Sequence, residues 1–284
     1  MSDPWTIGKV VSWATDDFRA RGFETPRLEA EVLLAHALSV PRMTILIEPA
    51  RPLAPDELAR YRGLISRRRT REPVAYLTGA REFYGRSFAV DASVLIPRPD
   101  TETLVDVALA RTAARSLYGR ALDLCTGSGC VAITLCRERP TWRVTGTDLS
   151  SAALAVARRN AHALGAHTLA LLEGDLYGPV AGQKFELVTA NPPYIPDAEI
   201  ETLDADVRSF EPRMALSGGP DGHALNRRVI AEAPRVLVKG GVLAVEIMAG
   251  TADAVSEMFV TAGFREVVAA RDYGGNDRVV SGIL

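Results

Sequence analysis

The stretch FELVTANPPY, Phe185 to Tyr194, is a short apolar run that ends in the tetrapeptide Asn191-Pro192-Pro193-Tyr194. Two consecutive prolines lack the N–H groups that a sheet ladder needs, so the predicted strand ends there in a stiff loop. In that loop the Asn191 side-chain oxygen and the Pro192 carbonyl are two fixed acceptors for a planar NH2 group. The pattern predicts a site for a nitrogen substrate, although in isolation it also fits a rigid turn without a ligand.

A glycine-rich loop follows the first strand predicted after residue 119. Gly127, Ser128, Gly129 and Ala132 fit the pattern G-x-G-x-x-A, and Asp148 ends the next predicted strand. Such glycines let the backbone approach an adenosine ligand, and the acid accepts from its ribose hydroxyls. The motif alone leaves three possibilities open: a nicotinamide cofactor, S-adenosylmethionine, or a tight turn with no ligand. No general acid for hydride transfer stands at a strand end. The presence of the glycine loop together with the asparagine loop, Asn191 to Tyr194, therefore favours a methyl donor as the ligand.

Strand-like and helical segments alternate from residue 120 onward, and the last two runs, 264–270 and 278–284, are predicted to form an antiparallel pair. This order indicates an α/β domain with a doubly wound, mainly parallel sheet. Ligands of such sheets bind at the carboxyl ends of the strands, where both motifs fall.

Residues 1–73 are predicted to form a small helical domain with helices that begin at Asp3-Pro4, Thr25-Pro26 and Pro55. The second helix is expected to bury Leu28, Val32, Ala35 and Leu38. Residues 74–97 have the short alternating runs of a β-hairpin linker, and residues 98–284 form the α/β domain.

Four arginines, Arg67, Arg68, Arg69 and Arg71, end the third predicted helix. Cations at this position suit the helix dipole, so a solvated helix end is one interpretation. A docking patch for an acidic partner or for phosphates is the other, and the sequence does not separate them.

The bulk composition limits the function classes. The 284-residue chain has a formal net charge of −2, so no global basic field suggests a nucleic-acid-coating protein. Three cysteines without a CxxC spacing and an N-terminus without a signal peptide predict reduced thiols in a cytoplasmic protein. The four histidines show no ligand pairing, so no metal site is predicted, and no apolar run is long enough to span a membrane.

Several segments together resemble the release factor glutamine methyltransferase family (PrmC, also called HemK). They are REPVAYLTGAREFYG, VLIPRPDTETLV, LDLCTGSGCVAI, TDLSSAALAVARRNA, NPPYIP, FEPRMALSGGPDG and a late DRVV. The resemblance implies a Rossmann-like class I methyltransferase with a seven-stranded sheet. Its implied reaction is methyl transfer from S-adenosylmethionine to the side-chain amide nitrogen (N5) of the glutamine in the GGQ motif of peptide-chain release factors.

The resemblance also assigns site residues. It implies that the donor, with S-adenosylhomocysteine as product, binds at Asp123, Cys125, Thr126, Gly127, Ser128, Gly129, Asp148, Asp175, Leu176 and Asn191. It implies that the glutamine binds at Asn191, Pro192, Pro193 and Tyr194, of which Asn191, Pro192 and Tyr194 take part in catalysis. The helical domain is expected to dock the release factor, and the enzyme is expected to act as a monomer without membrane or sequence-specific nucleic-acid binding.

This sequence departs from the family at three positions. Cys125 and Met248 stand where glycine is usual, and His223 stands where leucine is usual. Three other functions are weighed against the favoured one: a glutamine methyltransferase for a ribosomal protein, an adenine or guanine amine methyltransferase for nucleic acid, and a non-catalytic binder of S-adenosylmethionine. The intact asparagine loop argues against the last of these.

Overall fold

The computed structural model describes residues 4–284, which divide into two compact units. The first unit consists of the chain up to Gly79 together with Ala205–Phe210, and the second of Ala80–Asp204 and Glu211–Leu284. These limits differ from those expected from the sequence, because the hairpin belongs to the second unit and was expected to be a linker. The short helix at 205–210, which no sequence pattern indicated, belongs to the first unit.

The first unit is entirely helical. Its elements are α1 (Ile7–Ala20), α2 (Pro26–Leu38), α3 (Arg42–Ile47), α4 (Pro55–Arg69), α5 (Val74–Thr78) and, much later in the chain, α9 (Ala205–Phe210). The predicted starts at Thr25-Pro26 and Pro55 are confirmed, because each proline occupies the first turn of its helix. The predicted cap Asp3 lies outside the described residues, and the Thr6 hydroxyl accepts from Lys9 N at the start of α1.

The buried face of α2 was predicted only in part, because Ala35 is buried and Leu38 packs against the core, but Leu28 is not buried. Leu28 is 43% exposed, whereas Leu33 and Leu34 are fully buried in the core of the unit. Apolar residues surround most of this helix, so their spacing does not select one face. Packing of α2 against α1 on one side and α4 on the other decides which residues are buried.

The arginines at the end of α4 are paired within the helical unit. Arg67 bonds Glu72, Arg69 bonds Asp17, and Arg71 donates to the carbonyl oxygen of Arg21 while lying over the ring of Phe23. Most of these contacts are exposed and contribute little stability each. They nevertheless occupy the guanidinium groups, which favours the structural interpretation of the cluster.

The second unit begins with a hairpin and contains the large sheet. Strands β1 (Ala80–Phe83) and β2 (Arg86–Ala89) are antiparallel, and their connecting residues Tyr84 and Gly85 both have positive φ, as expected for a tight hairpin turn. The large sheet contains β3 (Arg120–Leu124), β4 (Arg143–Asp148), β5 (Ala170–Glu173), β6 (Phe185–Ala190), β7 (Leu237–Glu246), β8 (Arg265–Arg271) and β9 (Asp277–Ile283).

The strand order is β5-β4-β3-β6-β7-β9-β8, with β3 to β7 parallel and with antiparallel pairing of β9 to both β7 and β8. The predicted doubly wound, seven-stranded sheet is confirmed. Its helices are α6 (Glu102–Arg111), α7 (Cys130–Glu138), α8 (Ser151–Ala163), α10 (Ala224–Glu232) and α11 (Ala252–Thr261). Alternate residues of the central strands enter two separate apolar cores, as a sheet covered on both faces requires. None of the helices in residues 4–284 is long and apolar enough to cross a membrane.

Arg68 provides a test of the helical unit. Its side chain is 4% exposed and bonds Glu29 and Asp206, both at 2.7 Å, while it lies 4.1 Å from the ring centre of Phe23. Removing the cation leaves two carboxylates without their partner, so Arg68→Ala is expected to lower the free energy of unfolding by about 3 kcal/mol. Urea unfolding followed by circular dichroism measures this change. The matched control is Arg62→Ala at an exposed position of the same helix; equal effects of the two substitutions would contradict the assignment.

Candidate active site

A cavity lies at the carboxyl ends of the central parallel strands. It is lined by three groups of residues: the turn before α6 with Arg98 and Thr101; the loops after β3, β4 and β5; and Asn191, Pro193, Pro212 and Met214. Both sequence motifs therefore face the same cavity. Of the residues predicted from the sequence, Asp123, Cys125, Thr126, Gly127, Ser128, Asp148, Asp175, Leu176, Asn191 and Pro193 line it; Gly129, Pro192 and Tyr194 do not.

The loop after β3 is shaped by residues with positive φ. Cys125, Gly127 and Gly129 have φ values of 55°, 55° and 82°, in the left-handed region that favours glycine. Cys125 adopts this conformation although it is not a glycine, so the departure expected from the family resemblance leaves the loop geometry in place. Gly129 does not face the cavity: a Cβ on it would lie 2.9 Å from Ile133 Cδ1, so its role is close packing of the helix that follows.

Asp148 holds this loop from the neighbouring strand. Its Oδ2 accepts from Gly127 N at 2.8 Å, and its Oδ1 accepts from Ser150 N at 2.9 Å. Burial is the largest influence on Asp148 and raises the pKa of its carboxyl, while the backbone hydrogen bonds oppose this shift. Each carboxylate oxygen keeps a lone pair for a further donor, which suits a ribose diol.

Asp123 is buried beneath the loop. Its two oxygens accept from the hydroxyls of Thr126 at 2.6 Å and Thr189 at 2.8 Å, which ties the loop to both β3 and β6. Burial raises the pKa of this carboxyl to about 7. The geometry makes Asp123 a support of the cavity wall as well as a lining residue.

The loop after β5 supplies the far end of the cavity. Leu176 is buried with φ 44°, and its carbonyl accepts from the Thr147 hydroxyl at 3.1 Å. Asp175 is paired with Arg228 of α10 at 2.6 Å, a partner that the sequence motifs did not indicate. Ser128 is held in a similar way, because its carbonyl accepts from the buried Asn160 side chain at 2.9 Å.

The asparagine loop faces the cavity with only two of its four residues. Asn191 and Pro193 line the cavity, whereas Pro192 is buried. Tyr194 donates its hydroxyl proton to Glu246 at 3.2 Å, away from the cavity lining. Asn191 Nδ2 donates to the Thr101 hydroxyl at 3.2 Å. Sequence reasoning missed Thr101 and Glu246, although both stand at positions that signal a site: the turn of the IPRPDTE segment and the end of a central strand.

Two glycines hold the backbone of this loop. A Cβ on Gly218 would lie 2.7 Å from Tyr194 Cα, and one on Gly222 would lie 2.5 Å from Tyr194 O. The SGGPDG segment therefore lets a second chain segment pack directly against the asparagine loop. His223, the departure that follows, has a buried Nδ1 without a hydrogen-bond partner in the described structure.

Glu211 of the FEP segment closes the rim. It is 6% exposed and accepts from Ile96 N at 3.1 Å and from the Arg98 guanidinium at 2.5 Å. The IPRP and FEP segments are thus joined beside the cavity by a charge-assisted hydrogen bond.

Two of the three free thiols, Cys125 and Cys130, line the cavity. Burial raises the pKa of the Cys130 thiol to about 12 and that of Cys125 still further above its usual range, so neither is a reactive thiolate. Within residues 4–284 no group of three or more histidine, cysteine, aspartate or glutamate side chains is placed to hold a metal ion.

Solved structures similar to this one have the same kind of fold. A methyltransferase from Pyrococcus furiosus matches with a TM-score of 0.53 and 16% identity, covering 71% of this chain and 90% of its own. The hMettl16 catalytic domain matches with a TM-score of 0.59 and 13% identity, and the match covers 75% of this chain and 79% of that domain's chain. At this level of identity the likeness establishes the fold alone.

Family models and curated relatives give the family. The PrmC N-terminal domain matches residues 9–79, and the methyltransferase small domain matches residues 101–207. The release factor glutamine methyltransferase of Geobacter sulfurreducens is 44% identical over 98% of this chain and 96% of its own. The same enzyme of Caulobacter vibrioides is 40% identical over 98% of this chain and 97% of its own. That of Escherichia coli K12 is 39% identical over 91% of this chain and 92% of its own. This chain therefore belongs to the release factor glutamine methyltransferase family.

Proposed function

We propose that this protein transfers a methyl group from S-adenosylmethionine to the side-chain amide nitrogen of the GGQ glutamine of peptide-chain release factors. The observation that carries the proposal is that the glycine loop, Asp148 and Asn191 line one and the same cavity. An adenosine-type site and an acceptor for an NH2 group therefore open into the same space. Family membership narrows the reaction to glutamine methylation in translation termination, which is a cytoplasmic process.

The residues of the donor side fit S-adenosylmethionine. Asp148 is a partly buried, oriented acceptor for the ribose hydroxyls, and Gly127 leaves room for close approach to the backbone. Asp175 and Leu176 flank the adenine end, and Cys125 and Thr126 line the methionine end, with Asp123 beneath them. Gly129 acts indirectly, because it lets the following helix pack closely. When bound, the donor supplies an electrophilic methyl group on a sulfonium.

On the acceptor side the protein must activate a poor nucleophile. The lone pair of an amide nitrogen is delocalised into its carbonyl. Asn191 Oδ1 on the cavity wall is the first acceptor for the glutamine NH2 group, and the backbone carbonyl of Pro192, whose ring is buried outside the lining, is the proposed second. Together they turn the nitrogen toward the donor and stabilise the positive charge that develops on it. As the new N–C bond forms, the S–C bond breaks with its electron pair on sulfur, and the nitrogen then loses one proton to solvent. Pro193 borders the amide, and Tyr194 packs behind the loop and keeps it rigid.

Geometry is the main contribution to the rate. Orientation in a near-attack arrangement supplies up to about 7–11 kcal/mol of the barrier in well-oriented systems. The pKa of the Tyr194 hydroxyl is raised above its usual range, chiefly by burial, so it is not a base. A strong base in the rate-limiting step is not required in this scheme.

The helical unit is the proposed docking element for the release factor, with the enzyme acting as a monomer. Its surface exposes Met43 and Ile47 of α3, which are 62% and 68% exposed. Large apolar side chains at such exposure are typical of contact sites for a protein partner when they are adjacent.

Asn191→Ala tests the acceptor. The substitution removes one of two oriented acceptors, so methyl transfer to a release factor is expected to fall by at least about 100-fold, with the Kd for S-adenosylhomocysteine changed by less than about threefold. Labelled methyl incorporation and titration calorimetry measure the two effects. Asn276→Ala, at an exposed asparagine in the turn between β8 and β9, is the control.

Peptide mass spectrometry of the labelled products locates the methyl group. Label on the glutamine of the GGQ motif supports the proposal. Label on a ribosomal protein or on adenine would replace it by one of the alternative substrates, and near-normal activity of Asn191→Ala would contradict the role of Asn191.

Charge placed on α3 tests the docking element. Met43→Asp and Ile47→Asp are expected to raise the KM for an intact release factor by about 10-fold each, because a desolvated apolar contact is lost, while kcat stays within about twofold. Val260→Asp, at an equally exposed apolar position on α11, is the matched control. An unchanged KM in both α3 variants would show that this face does not contact the substrate protein.

A further inference from the structure

The chemistry proposed above requires Asn191 to present its oxygen, and not its NH2 group, to the substrate. In the structure Asn191 lines the cavity, and its Nδ2 donates to Thr101 Oγ1 at 3.2 Å, so Nδ2 is engaged by the protein. A threonine hydroxyl can either accept from an amide NH2 or donate to an amide oxygen. The orientation of Asn191 therefore depends on where the Thr101 proton points.

The buried carboxyl group of Glu246 influences where the Thr101 proton points. It ends β7, it is 1% exposed, and its Oε1 accepts from the Tyr194 hydroxyl at 3.2 Å. Its Oε2 is buried without a hydrogen-bond partner among residues 4–284. Thr101, which is 2% exposed, is one of the groups that favour the charged form of this carboxylate and so lower its pKa. An ionised carboxylate only accepts, so the charged form of Glu246 favours a Thr101 proton that points toward Glu246 and leaves a lone pair of Oγ1 for the Asn191 NH2 group.

Other charges surround Glu246. Arg278, whose side chain is 13% exposed, bonds Asp272 at 3.0 Å and Asp100 at 3.3 Å, and its charge favours the ionised glutamate. Burial and the charge of Asp100 disfavour the ionised form of Glu246. The Cys130 thiol and the Tyr194 hydroxyl are the other titratable groups nearby. Burial is the largest influence and raises the pKa of Glu246 to about 7.

We infer that Thr101 and Glu246 are positioning residues that fix the rotamer of the Asn191 amide, so that Oδ1 faces the substrate nitrogen. The inference rests on the proposed function of Asn191. Through Tyr194, the same glutamate also holds the end of the asparagine loop. Neither residue exchanges a proton with the substrate. Together they select one of the two flipped orientations of the Asn191 side-chain amide, which differ only in the exchange of O and NH2, two groups of nearly equal size.

Three substitutions separate this role from general support of the fold. Thr101→Val keeps the shape of the side chain and removes the hydroxyl, whereas Thr101→Ser keeps the hydroxyl and removes a methyl group. Glu246→Gln keeps the shape but adds an NH2 donor, which directs the Thr101 proton away and favours the wrong amide orientation. Thr101→Val and Glu246→Gln are each expected to lower kcat for a release factor by about 10- to 100-fold. Thr101→Ser is expected to restore kcat to within about threefold of wild type.

In this proposal the two losses arise from the same misorientation of the Asn191 amide, so they are not additive. The double variant Thr101→Val/Glu246→Gln is expected to be no slower than the slower single variant. If the two substitutions caused independent structural defects, their fold-reductions in kcat would multiply in the double variant. The Kd for S-adenosylhomocysteine and the thermal midpoint of each variant are measured alongside to detect a loss of fold.

The pH dependence gives a second readout. When Glu246 is protonated it becomes a donor and competes for Thr101 Oγ1, so wild-type kcat is expected to fall as pH decreases through about 7. Glu246→Gln lacks this titration. The ratio of wild-type to Glu246→Gln rates is therefore expected to decrease toward low pH, and the buried Asp123, present in both proteins, cancels in the ratio. A constant ratio from pH 6 to 8, on the order of one unit to either side of that pKa, would contradict the role of Glu246.

A readout on the free protein keeps this inference separate from the proposed function. Selective ¹⁵N labelling of asparagine gives side-chain NH2 signals from only four residues, Asn160, Asn191, Asn226 and Asn276, and the signal absent from Asn191→Ala identifies Asn191. Hydrogen exchange of that NH2 group is expected to be about 10-fold faster in Thr101→Val and normal in Thr101→Ser. Unchanged exchange in Thr101→Val overturns the inference. Wild-type protein that shows the protected NH2 group but methylates no release factor overturns the proposed function alone.

Discussion

The site depends on the register of three parallel strands. Ala190 at the end of β6 pairs with Leu124 of β3 on one side and with Val245 of β7 on the other. The residues that follow are Asn191, Cys125 and Glu246, so the acceptor asparagine, the start of the glycine loop and a buried carboxylate reach the same edge of the sheet. A shift of one residue in either pairing would turn alternate side chains to the opposite face and separate these groups. Register in this sheet is fixed by apolar residues that are buried on both faces.

That arrangement places carboxylates where water does not reach. Asp123 and Glu246, on the two strands flanking β6, are 2% and 1% exposed, and burial raises the pKa of both to about 7. Asp123 is compensated by two threonine hydroxyls, while Glu246 keeps one oxygen without a hydrogen bond. Buried charges that are only partly compensated lower stability, and they persist most often where they orient functional groups.

Predictions from local sequence patterns were correct where the residue type restricts the backbone or the contact to one structural role. The prolines after Asn191 end β6, the glycines at 127 and 129 adopt positive φ, and Asp148 lies where it accepts from the loop. Patterns failed where packing chooses between equal alternatives. Leu28 was assigned to the core but is exposed, because α2 offers apolar residues on several sides. The helix at 205–210 was missed, because six residues are too few to show a helical periodicity of apolar side chains; its Asp206 pairs with the buried Arg68.

The sequence by itself determined the class of fold, the order of strands and helices along the chain, the position of both motifs at strand ends and the family. Spacing along one chain carries that information, because turns, caps and strand ends are local events. Only the tertiary structure decided that Pro192 and Tyr194 lie outside the cavity lining, that Arg228 holds Asp175, and that Thr101 and Glu246 stand behind Asn191. These contacts join residues more than fifty positions apart. Sheet order brings them together, and no local pattern in a single sequence records it.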